Sequence, residues 1–177
     1  MNKKNKVITA FGSSRIEPAD LRFKDVQALA EQIALIGWDG MTGGHQGMMA
    51  AFSRGIAEGG GHVTGVTLER FPTPPNNTLS EEKRAHTFFD RMQSLIEDAD
   101  AYLVLPGGLG TLAEFAMTWD LLAIHVLEPR PLLVYGEDWL PLMDCLKEKL
   151  VMSVDHGFSC VHYCESHEEV LKHLREQ

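Results

Sequence analysis

A continuously apolar run, AYLVL (101–105), leads directly into a glycine-rich turn, PGGLG (106–110), and then into a longer helical pattern. A strand that is apolar at every position has to be buried on both faces, which is the environment of a central strand in a parallel sheet. Glycines at such a strand-to-helix junction permit positive φ and let a ligand approach the backbone closely. This junction therefore predicts a parallel α/β sheet with a ligand site at its edge.

The rest of the chain repeats this alternation of strand and helix. Strands are predicted at 6–11, within 38–44, and at 62–68, 101–105, 130–136 and 159–164. Helices are predicted from about 20 to 37 and at 47–58, 80–97, 111–125, 139–150 and 166–176, with a long loop, FPTPPNNTLS, over 71–80. We expect a Rossmann-like, doubly wound α/β fold, with a mostly parallel six-stranded sheet, helices on both faces and a single domain over residues 1–177.

The composition excludes some classes of function. The 177 residues carry a formal net charge of −9, so the chain offers no basic stripe to neutralise the phosphates of a nucleic acid. No run of the sequence approaches the ~18 uninterrupted apolar residues of a membrane span. Cys145, Cys160 and Cys164 form no CxxC pair and indicate reduced thiols. We therefore expect a cytoplasmic protein that binds neither nucleic acid nor membrane.

Three predicted strands end in small residues, namely GSS (12–14), TGGHQG (42–47) and PGGLG (106–110). In doubly wound sheets, ligands bind beyond the carboxyl ends of the strands, near the switch point of the topology. If these three ends meet at one edge, they form one site. The start of the helix after PGGLG offers free N–H groups and a partial positive charge, which suits a phosphate. A tight turn with close strand–helix packing would explain the same glycines.

The other two strand ends also allow two interpretations each. The TGGHQG segment could contact an anion or a nucleotide, or it could supply the small residues that a helix start needs to pack on the sheet. Ser13, Ser14 and Arg15 could contact phosphate or ribose, or Ser14 could cap a turn. Both segments are therefore candidate ligand contacts with a structural alternative.

Two charged residues near these ends are candidates for chemistry. Glu114 follows Thr111 by three positions, which fits the T-x-x-E capping box as well as it fits a functional carboxylate. Arg91 lies on the helix predicted before the PGG strand, where a solvated pair with Asp90 is the alternative to a site residue. The eight histidines show no metal-ligand spacing, so we expect no metal.

The segment PGGLGTLAE (106–114) resembles the PGGxGTxxE signature of the LOG (Lonely Guy) family, whose members often carry the label lysine decarboxylase. GSSR (12–15) is similar to the family's GSS segment, and TGGHQGMMAA (42–51) resembles its GGGxxGLMGA loop. GVTLERF (65–71) occupies the place of the family's G-V-I-P region. Because the order and approximate spacing of these segments agree, the resemblance covers most of the chain.

The resemblance implies a Rossmann-like nucleotide-binding domain, usually a homodimer, that hydrolyses the N-glycosidic bond of a nucleoside 5′-monophosphate such as AMP or a cytokinin riboside monophosphate. We expect no cofactor. By position, the resemblance makes Glu114 the catalytic glutamate and Arg91 the catalytic arginine. The ligand is expected to bind at the three strand ends. The residues expected to bind the 5′-phosphate are Gly107, Gly108, Gly110 and Thr111, and those expected to bind the substrate from the other two loops are Ser13, Gly43, Gly44, Gly47 and Met48.

The chain departs from the family pattern beside this arginine. The family usually has lysine at the next position, whereas this chain has Met92, and Thr42 replaces the first glycine of the second loop. The same superfamily includes proteins that look like molybdenum-cofactor carriers, which keep the phosphate-binding glycines without this chemistry. A non-catalytic carrier of a nucleotide or a phosphorylated pterin is therefore the alternative to a hydrolase.

Overall fold

A parallel sheet organises the part of the chain that the computed structural model describes, which is residues 5–71, 74, 77–151 and 157–177. The strands are β1 (Lys6–Phe11), β2 (Trp38–Thr42), β3 (Val63–Leu68), β4 (Glu81–Ala85), β5 (Ala101–Val104), β6 (Leu132–Tyr135) and β7 (Val161–Cys164). Within these residues the strand order is β4-β3-β2-β1-β5-β6-β7, and each neighbouring pair is parallel. The predicted doubly wound α/β class is confirmed.

Helices cover both faces of this sheet. They are α1 (Leu21–Leu35), α2 (Met48–Glu58), α3 (Phe88–Glu97), α4 (Leu109–Ala123), α5 (Leu140–Lys149) and α6 (His167–Arg175). Apolar side chains of α1, α2 and α6 contribute to one core cluster, and those of α3 and α4 contribute to a second cluster on the opposite face, against which partly buried side chains of α5 pack. Among the described residues, no helix is long and apolar enough to cross a membrane.

The predicted helix over 80–97 is wrong in its first part. Residues Glu81–Ala85 form β4, an edge strand that pairs with β3. Four of its five residues are exposed, so an edge strand tolerates the sequence EEKRA, which has no alternating pattern that would reveal a strand. Helix α3 begins only at Phe88, after a capping box formed by Thr87 and Asp90. The described sheet therefore has seven strands instead of six.

The direction of the topology reverses between β1 and β5. The chain steps outward from β1 through β2 and β3 to β4, and it then returns to β5 on the other side of β1. A crevice opens at such a point beyond the carboxyl ends of the two strands, because their loops leave in opposite directions. All four residues of β5 are buried, as predicted for a central strand. The N–H of Ser13 donates to the carbonyl oxygen of Pro106 at 3.0 Å and ties the two strand ends together.

Two buried tryptophans hold α4 and the end of β5 in place. Trp139 Nε1–H donates to the carbonyl oxygen of Leu105 at 3.0 Å, and Trp119 Nε1–H donates to that of Gly157 at 2.6 Å. The ring of Phe115 lies between them, with centroids 5.4 Å from Trp119 and 5.9 Å from Trp139. Because both indole N–H groups have partners, these rings contribute packing without leaving a buried donor unsatisfied.

Because α1 packs closely on α2, replacing the helical glycine Gly55 by alanine should destabilise the protein. A β-carbon on Gly55 would overlap the carbonyl oxygen of Gln27 and lie 2.6 Å from Ala30 Cβ. Gly55→Ala should therefore lower the free energy of unfolding by about 1–3 kcal/mol, as overpacking does. Replacing glycine by alanine inside a helix normally stabilises by about 0.5–1 kcal/mol, so the sign is reversed here.

Urea denaturation monitored by circular dichroism measures this difference. Gly110→Ala is the matched control, because Gly110 also lies in a helix and a β-carbon there would meet nothing within 4 Å. The control should be unchanged or more stable by up to about 1 kcal/mol. Equal effects of the two substitutions would contradict the packing of α1 on α2 described above.

Candidate active site

A cleft of about 550 Å³ lies at the switch point of the sheet. Its walls come from the carboxyl ends of β1, β2 and β3, from the start of α3 and from the first turns of α4. The lining residues are Gly12, Ser13, Ser14, Arg15, Gly43, Gly44, His45, Met49, Thr67, Leu68, Phe71, Phe88, Arg91, Gly108, Leu109, Gly110, Thr111 and Glu114. The three glycine- and serine-rich strand ends therefore meet in one site.

The start of α4 forms one wall of this cleft. Helix α4 begins at Leu109 with Gly108 as its N-cap residue, and no side chain among the described residues caps it. The N–H groups of its first turn therefore remain available to an anion in the cleft. Gly107 lies outside the lining, and a β-carbon there would overlap the hydroxyl of Thr111. The glycine at 107 lets the turn pack against Thr111, and Gly108 and Gly110 open onto the cleft.

Arg91 and Glu114 form an ion pair at the base of the cleft. Arg91 Nη1–H donates to Glu114 Oε1 at 3.1 Å, and Arg91 Nε–H donates to the carbonyl oxygen of Val66 at 2.9 Å. The side chains are only 14% and 12% exposed, so the pair is shielded from water on most sides. Two residues 23 positions apart in the sequence are thus brought into contact from α3 and α4.

Both structural alternatives for these two residues are wrong. Glu114 is not part of a capping box with Thr111, because α4 begins before Thr111 and Glu114 lies in its second turn. Arg91 does not form a solvated pair with Asp90, since the Asp90 carboxylate instead accepts from the N–H of Thr87 in the capping box of α3. The charged groups of Arg91 and Glu114 face each other within the cleft instead.

Burial raises the pKa of Glu114 above its ordinary value of 4.5, and the charge and hydrogen bond of Arg91 oppose part of that rise. Burial and the guanidinium therefore shift the pKa of this carboxyl group in opposite directions. Desolvation favours the neutral acid, whereas the guanidinium favours the carboxylate. A carboxyl group balanced in this way is suited to exchange a proton or to stabilise positive charge on a bound molecule.

Some residues of the second glycine loop (42–47) and of the helix start after it line the cleft, and others pack against the backbone or in the core. Gly43 and Gly44, for which ligand contact is predicted, both line the cleft. Gly47 and Met48 do not line it. Gly47 has positive φ and packs against the backbone of Ser13, where a β-carbon would overlap the carbonyl oxygen. The N–H of Met48 donates to that carbonyl oxygen at 2.8 Å, and the Met48 side chain is fully buried in the core. Met48 shares the buried face of α2 with residues four and eight positions later, and this helical spacing was the sequence signal for a core position. Met49 lines the cleft in its place.

The first strand end also contributes to the lining. Ser13, Ser14 and Arg15 all reach the cleft. The hydroxyl of Ser13 accepts from the N–H of Arg15 at 3.0 Å, so Ser13 closes a turn here, whereas the structural alternative for this segment was a turn capped by Ser14. Arg15 is exposed and carries the second guanidinium of the described cleft lining.

Sequence reasoning missed an apolar collar around the mouth of the cleft. This collar consists of Met49, Leu68, Phe71, Phe88 and Leu109. Phe71 is 56% exposed and Phe88 is 46% exposed, which is unusual for two large aromatic side chains outside a binding surface. Their exposure could not be read from the sequence, because Phe71 follows β3 and Phe88 begins α3, where either could have been a core residue.

The predicted loop over 71–80 contacts the second glycine loop through its described end. Residues 72, 73, 75 and 76 lie outside the described residues. Asn77 Nδ2–H donates to the carbonyl oxygen of Gly44. This bond joins the loop to the cleft wall.

Among the described residues, no three histidine, cysteine, aspartate or glutamate side chains are grouped so that they could hold a metal ion.

The fold and the cleft define the class of protein. It is a doubly wound α/β protein whose switch point carries a buried arginine–glutamate pair and a helix N-terminus with N–H groups available to an anion. A family model described as "Possible lysine decarboxylase" matches residues 49–174. The chain belongs to this family. Its curated relatives carry LOG names, so the predicted membership of the LOG family is confirmed.

Two of these relatives illustrate the degree of similarity. The Oryza sativa subsp. japonica protein named "Probable cytokinin riboside 5'-monophosphate phosphoribohydrolase LOGL3" is 34% identical over 102 residues, which cover 55% of this chain and 48% of that protein. The Rhodococcoides fascians protein named "Cytokinin riboside 5'-monophosphate phosphoribohydrolase" is 32% identical over 114 residues, which cover 62% and 57%. The chain spans about half the length of the curated relatives it matches.

Solved structures of other proteins share the fold at lower identity. The molybdenum cofactor binding protein from Rippkaea orientalis matches with a TM-score of 0.77 and 19% identity, over 99% of this chain and 98% of that one. The molybdenum cofactor carrier protein MCP from Chlamydomonas reinhardtii matches with a TM-score of 0.72 and 18% identity, over 97% of each chain. At these identities the likeness concerns the fold.

The raised pKa of Glu114 predicts how its replacement changes stability with pH. Between the unfolded and the folded pKa, the folded protein binds more protons at this site, so ionisation of Glu114 lowers stability as the pH rises. Glutamine has no such proton. The unfolding free energy of Glu114→Gln, minus that of the wild type, should therefore increase from about pH 4.5 through the folded pKa, with a slope of at most about 1.4 kcal/mol per pH unit.

Chemical denaturation of both proteins at several pH values between 4 and 8 measures this difference. Above the folded pKa the difference should level off, because Glu114 is then ionised in both the folded and the unfolded state. A difference that decreases as the pH rises would mean that the ion pair with Arg91 outweighs burial. That result would contradict the direction of the shift.

Proposed function

We propose that this protein hydrolyses the N-glycosidic bond of a nucleoside 5′-monophosphate, with AMP or an N6-substituted AMP as substrate and free base and ribose 5-phosphate as products. The observation that carries the proposal is the buried Arg91–Glu114 pair in the same cleft as the open first turn of α4. The names of the curated relatives support the same reaction.

The first step of the proposed reaction is binding of the 5′-phosphate. Gly108, Gly110 and Thr111 would hold it through the free N–H groups at the start of α4, where the helix dipole favours negative charge. Binding the phosphate there would place the ribose one helical turn along α4, next to Glu114, since a turn rises about 5.4 Å. The phosphate would thus supply binding energy that positions the reacting carbon.

The second step is cleavage of the bond between ribose and base. Departure of the base leaves positive charge on the sugar, as in glycoside hydrolysis. The carboxylate of Glu114 would stabilise that charge and orient the attacking water, and Arg91 would hold the carboxylate in its ionised, correctly directed form. The elevated pKa of Glu114 would then allow it to take up the proton released by the water, and that proton would replace the ribose on the departed base, which is released as the neutral purine.

The base would lie against the apolar collar. Phe71 and Phe88 line the cleft with partly exposed aromatic rings, and Leu68 and Met49 add apolar surface to the same lining. Such side chains suit the planar face of a purine and an apolar substituent on its N6 atom. A cleft of about 550 Å³ has the size of typical small-ligand sites, which extend from about 300 to 1,000 Å³.

Two other functions are less well supported. A carrier of a nucleotide or of a molybdenum cofactor, like the Chlamydomonas reinhardtii protein that shares the fold, would have no need for a carboxylate held by arginine in the ligand cleft. Met92, which replaces the usual lysine, is buried in the core and takes no part in the cleft lining, so this departure leaves Arg91 and Glu114 in place.

A decarboxylase using pyridoxal phosphate needs a lysine for the Schiff base, and the described lining residues include none.

We also propose that the protein acts as a cytoplasmic homodimer. Leu109 is 83% exposed, and Ile124 and Val126 at the other end of α4 are 51% and 65% exposed. An apolar groove of about 390 Å³ lies between α4 and α5 next to them. A second copy covering α4 would bury this surface. None of the described cysteines forms a disulfide, which suits the reducing cytoplasm.

The central prediction concerns Glu114. Glu114→Gln should lower the rate of base release by at least about 100-fold, because it removes the charge that stabilises the sugar cation while keeping the shape of the side chain. Binding of AMP should change less than about threefold, since the phosphate contacts lie on the first turn of α4. Base release measured by chromatography and AMP binding measured by calorimetry test the two parts.

Glu128→Gln is the matched control, because this glutamate is exposed in the segment after α4 and lies outside the cleft lining. It should retain the full rate. A wild-type protein that binds AMP and N6-substituted AMP but releases no base from either would overturn the hydrolase and favour the carrier. Retention of the full rate by Glu114→Gln would remove Glu114 from the mechanism.

The apolar collar predicts a preference among substrates. Phe88→Ala should lower kcat/KM for AMP carrying a branched five-carbon N6 substituent about 10-fold more than it lowers kcat/KM for AMP itself. The reason is that loss of apolar contact worth about 1.4 kcal/mol affects only the substrate that makes it. Phe89→Ala is the control, since Phe89 is 74% exposed on the same helix and lies outside the lining. Equal losses for both substrates would place the N6 substituent elsewhere.

A further inference from the structure

Gly43 lies directly against the guanidinium group of Arg91. A β-carbon built on Gly43 would overlap Arg91 Nη2 and would lie 3.1 Å from Arg91 Cζ. It would also lie 2.9 Å from Met49 Sδ, which is the mobile end of a flexible side chain. Gly43 does not have positive φ, whereas Gly44 and Gly47 do. The backbone conformation at 43 therefore permits any residue, and the need for glycine comes from the neighbouring guanidinium.

The guanidinium cannot withdraw from Gly43 without losing its partners. Its Nε–H donates to the carbonyl oxygen of Val66 at 2.9 Å, and its Nη1–H donates to Glu114 Oε1 at 3.1 Å. The planar group is thus bounded by a β3 carbonyl, by the carboxylate and by the backbone after β2. A shift that relieved an overlap at Nη2 would move the whole rigid plane and disturb both hydrogen bonds.

We propose that Gly43 is a positioning residue, whose missing side chain creates the space that holds the Arg91 guanidinium against Glu114. The catalytic meaning of this role rests on the proposed hydrolase function, but the packing does not. Gly43 is distinct in this from Gly108 and Gly110, where a β-carbon would meet nothing within 4 Å. Glycine at 43 therefore serves the arginine, and glycines at 108 and 110 leave room for a ligand.

This role has a consequence for the ionisation of Glu114. Arg91 lowers the pKa of Glu114 through its charge and its hydrogen bond, in opposition to burial. A side chain at 43 that displaces the guanidinium removes this opposition, so the pKa of Glu114 should rise further. The other described groups that border the cleft and carry charge or titrate are Arg15 and His45, and neither is displaced by a β-carbon at 43.

The test is a double-mutant cycle with Gly43→Ala, Arg91→Ala and the combined variant. The pKa of Glu114 is measured by ¹³C NMR of its side-chain carboxyl group, and the free energy of unfolding is measured by urea denaturation. Gly43→Ala should raise the pKa of Glu114 and destabilise the protein. In the Arg91→Ala background, where Nη2 no longer exists, the same substitution should leave the pKa of Glu114 unchanged and should no longer destabilise the protein. If Gly43→Ala alone does not fold, the combined variant should restore folding.

Gly40→Ala is the matched control, because Gly40 lies on the same strand and a β-carbon there would crowd Ile56 and Phe52 at 2.8 Å. It should destabilise the protein equally in both backgrounds and leave the pKa of Glu114 unchanged. Additive effects of Gly43→Ala and Arg91→Ala, an unchanged pKa of Glu114 in Gly43→Ala, or a combined variant that fails to fold would each overturn the positioning role. These readouts need no substrate, so they remain decisive if the hydrolase activity is absent.

If the hydrolase activity is present, Gly43→Ala should lower kcat by about 100-fold, as a misplacement of about 1 Å does in other enzymes. The pH at which the rate reaches its maximum should move upward with the pKa of Glu114. A reduced rate with an unchanged pH profile would mean that the substitution acts by general destabilisation, and would contradict the positioning role.

Discussion

The contact between the Arg91 guanidinium and the Glu114 carboxylate is the interaction on which the rest of the site depends. A charge pair this deeply buried is stable only when its geometry is good and its remaining hydrogen-bonding groups have partners. The carbonyl oxygen of Val66 supplies one such partner, and the glycine at 43 supplies the space. The ends of β2 and β3 and the helices α3 and α4 must all be in register for the pair to form.

The parallel sheet provides that register. Its switch point places the end of β5, and with it the start of α4, next to the ends of β1 and β2. The N–H of Ser13 bonds to the carbonyl oxygen of Pro106, and the N–H of Met48 bonds to that of Ser13, so the three strand ends are joined through their backbones. An anion at the start of α4 and a sugar beside Glu114 would then lie on one rigid platform. Arg91 and Glu114 come from helices, and the space around them is set by loops.

Much of this could be predicted from the sequence, and the parts that could not have identifiable reasons. The apolar run of β5 and its glycine turn predicted the sheet and the site, because burial on both faces leaves a continuous pattern. The edge strand β4 was missed, since its exposed residues follow no hydrophobic pattern and only pairing with β3 defines it. The T-x-x-E spacing of Thr111 and Glu114 could not reveal that α4 begins at Leu109. That starting point decides whether Glu114 caps the helix or lies in the site as a carboxylate. The contact of Glu114 with Arg91 and that of Arg91 with Gly43 join distant segments, and no local pattern encodes them.

Cleavage of an N-glycosidic bond by water is the reaction proposed for this site. The most direct measurement is incubation of the wild-type protein with AMP and with N6-substituted AMP in H₂¹⁸O, followed by mass spectrometry of the products. We expect free base together with ribose 5-phosphate that carries one ¹⁸O atom from solvent at C1 when the reaction is quenched early. Recovery of the nucleotide intact, or release of base without labelled ribose 5-phosphate, would contradict it.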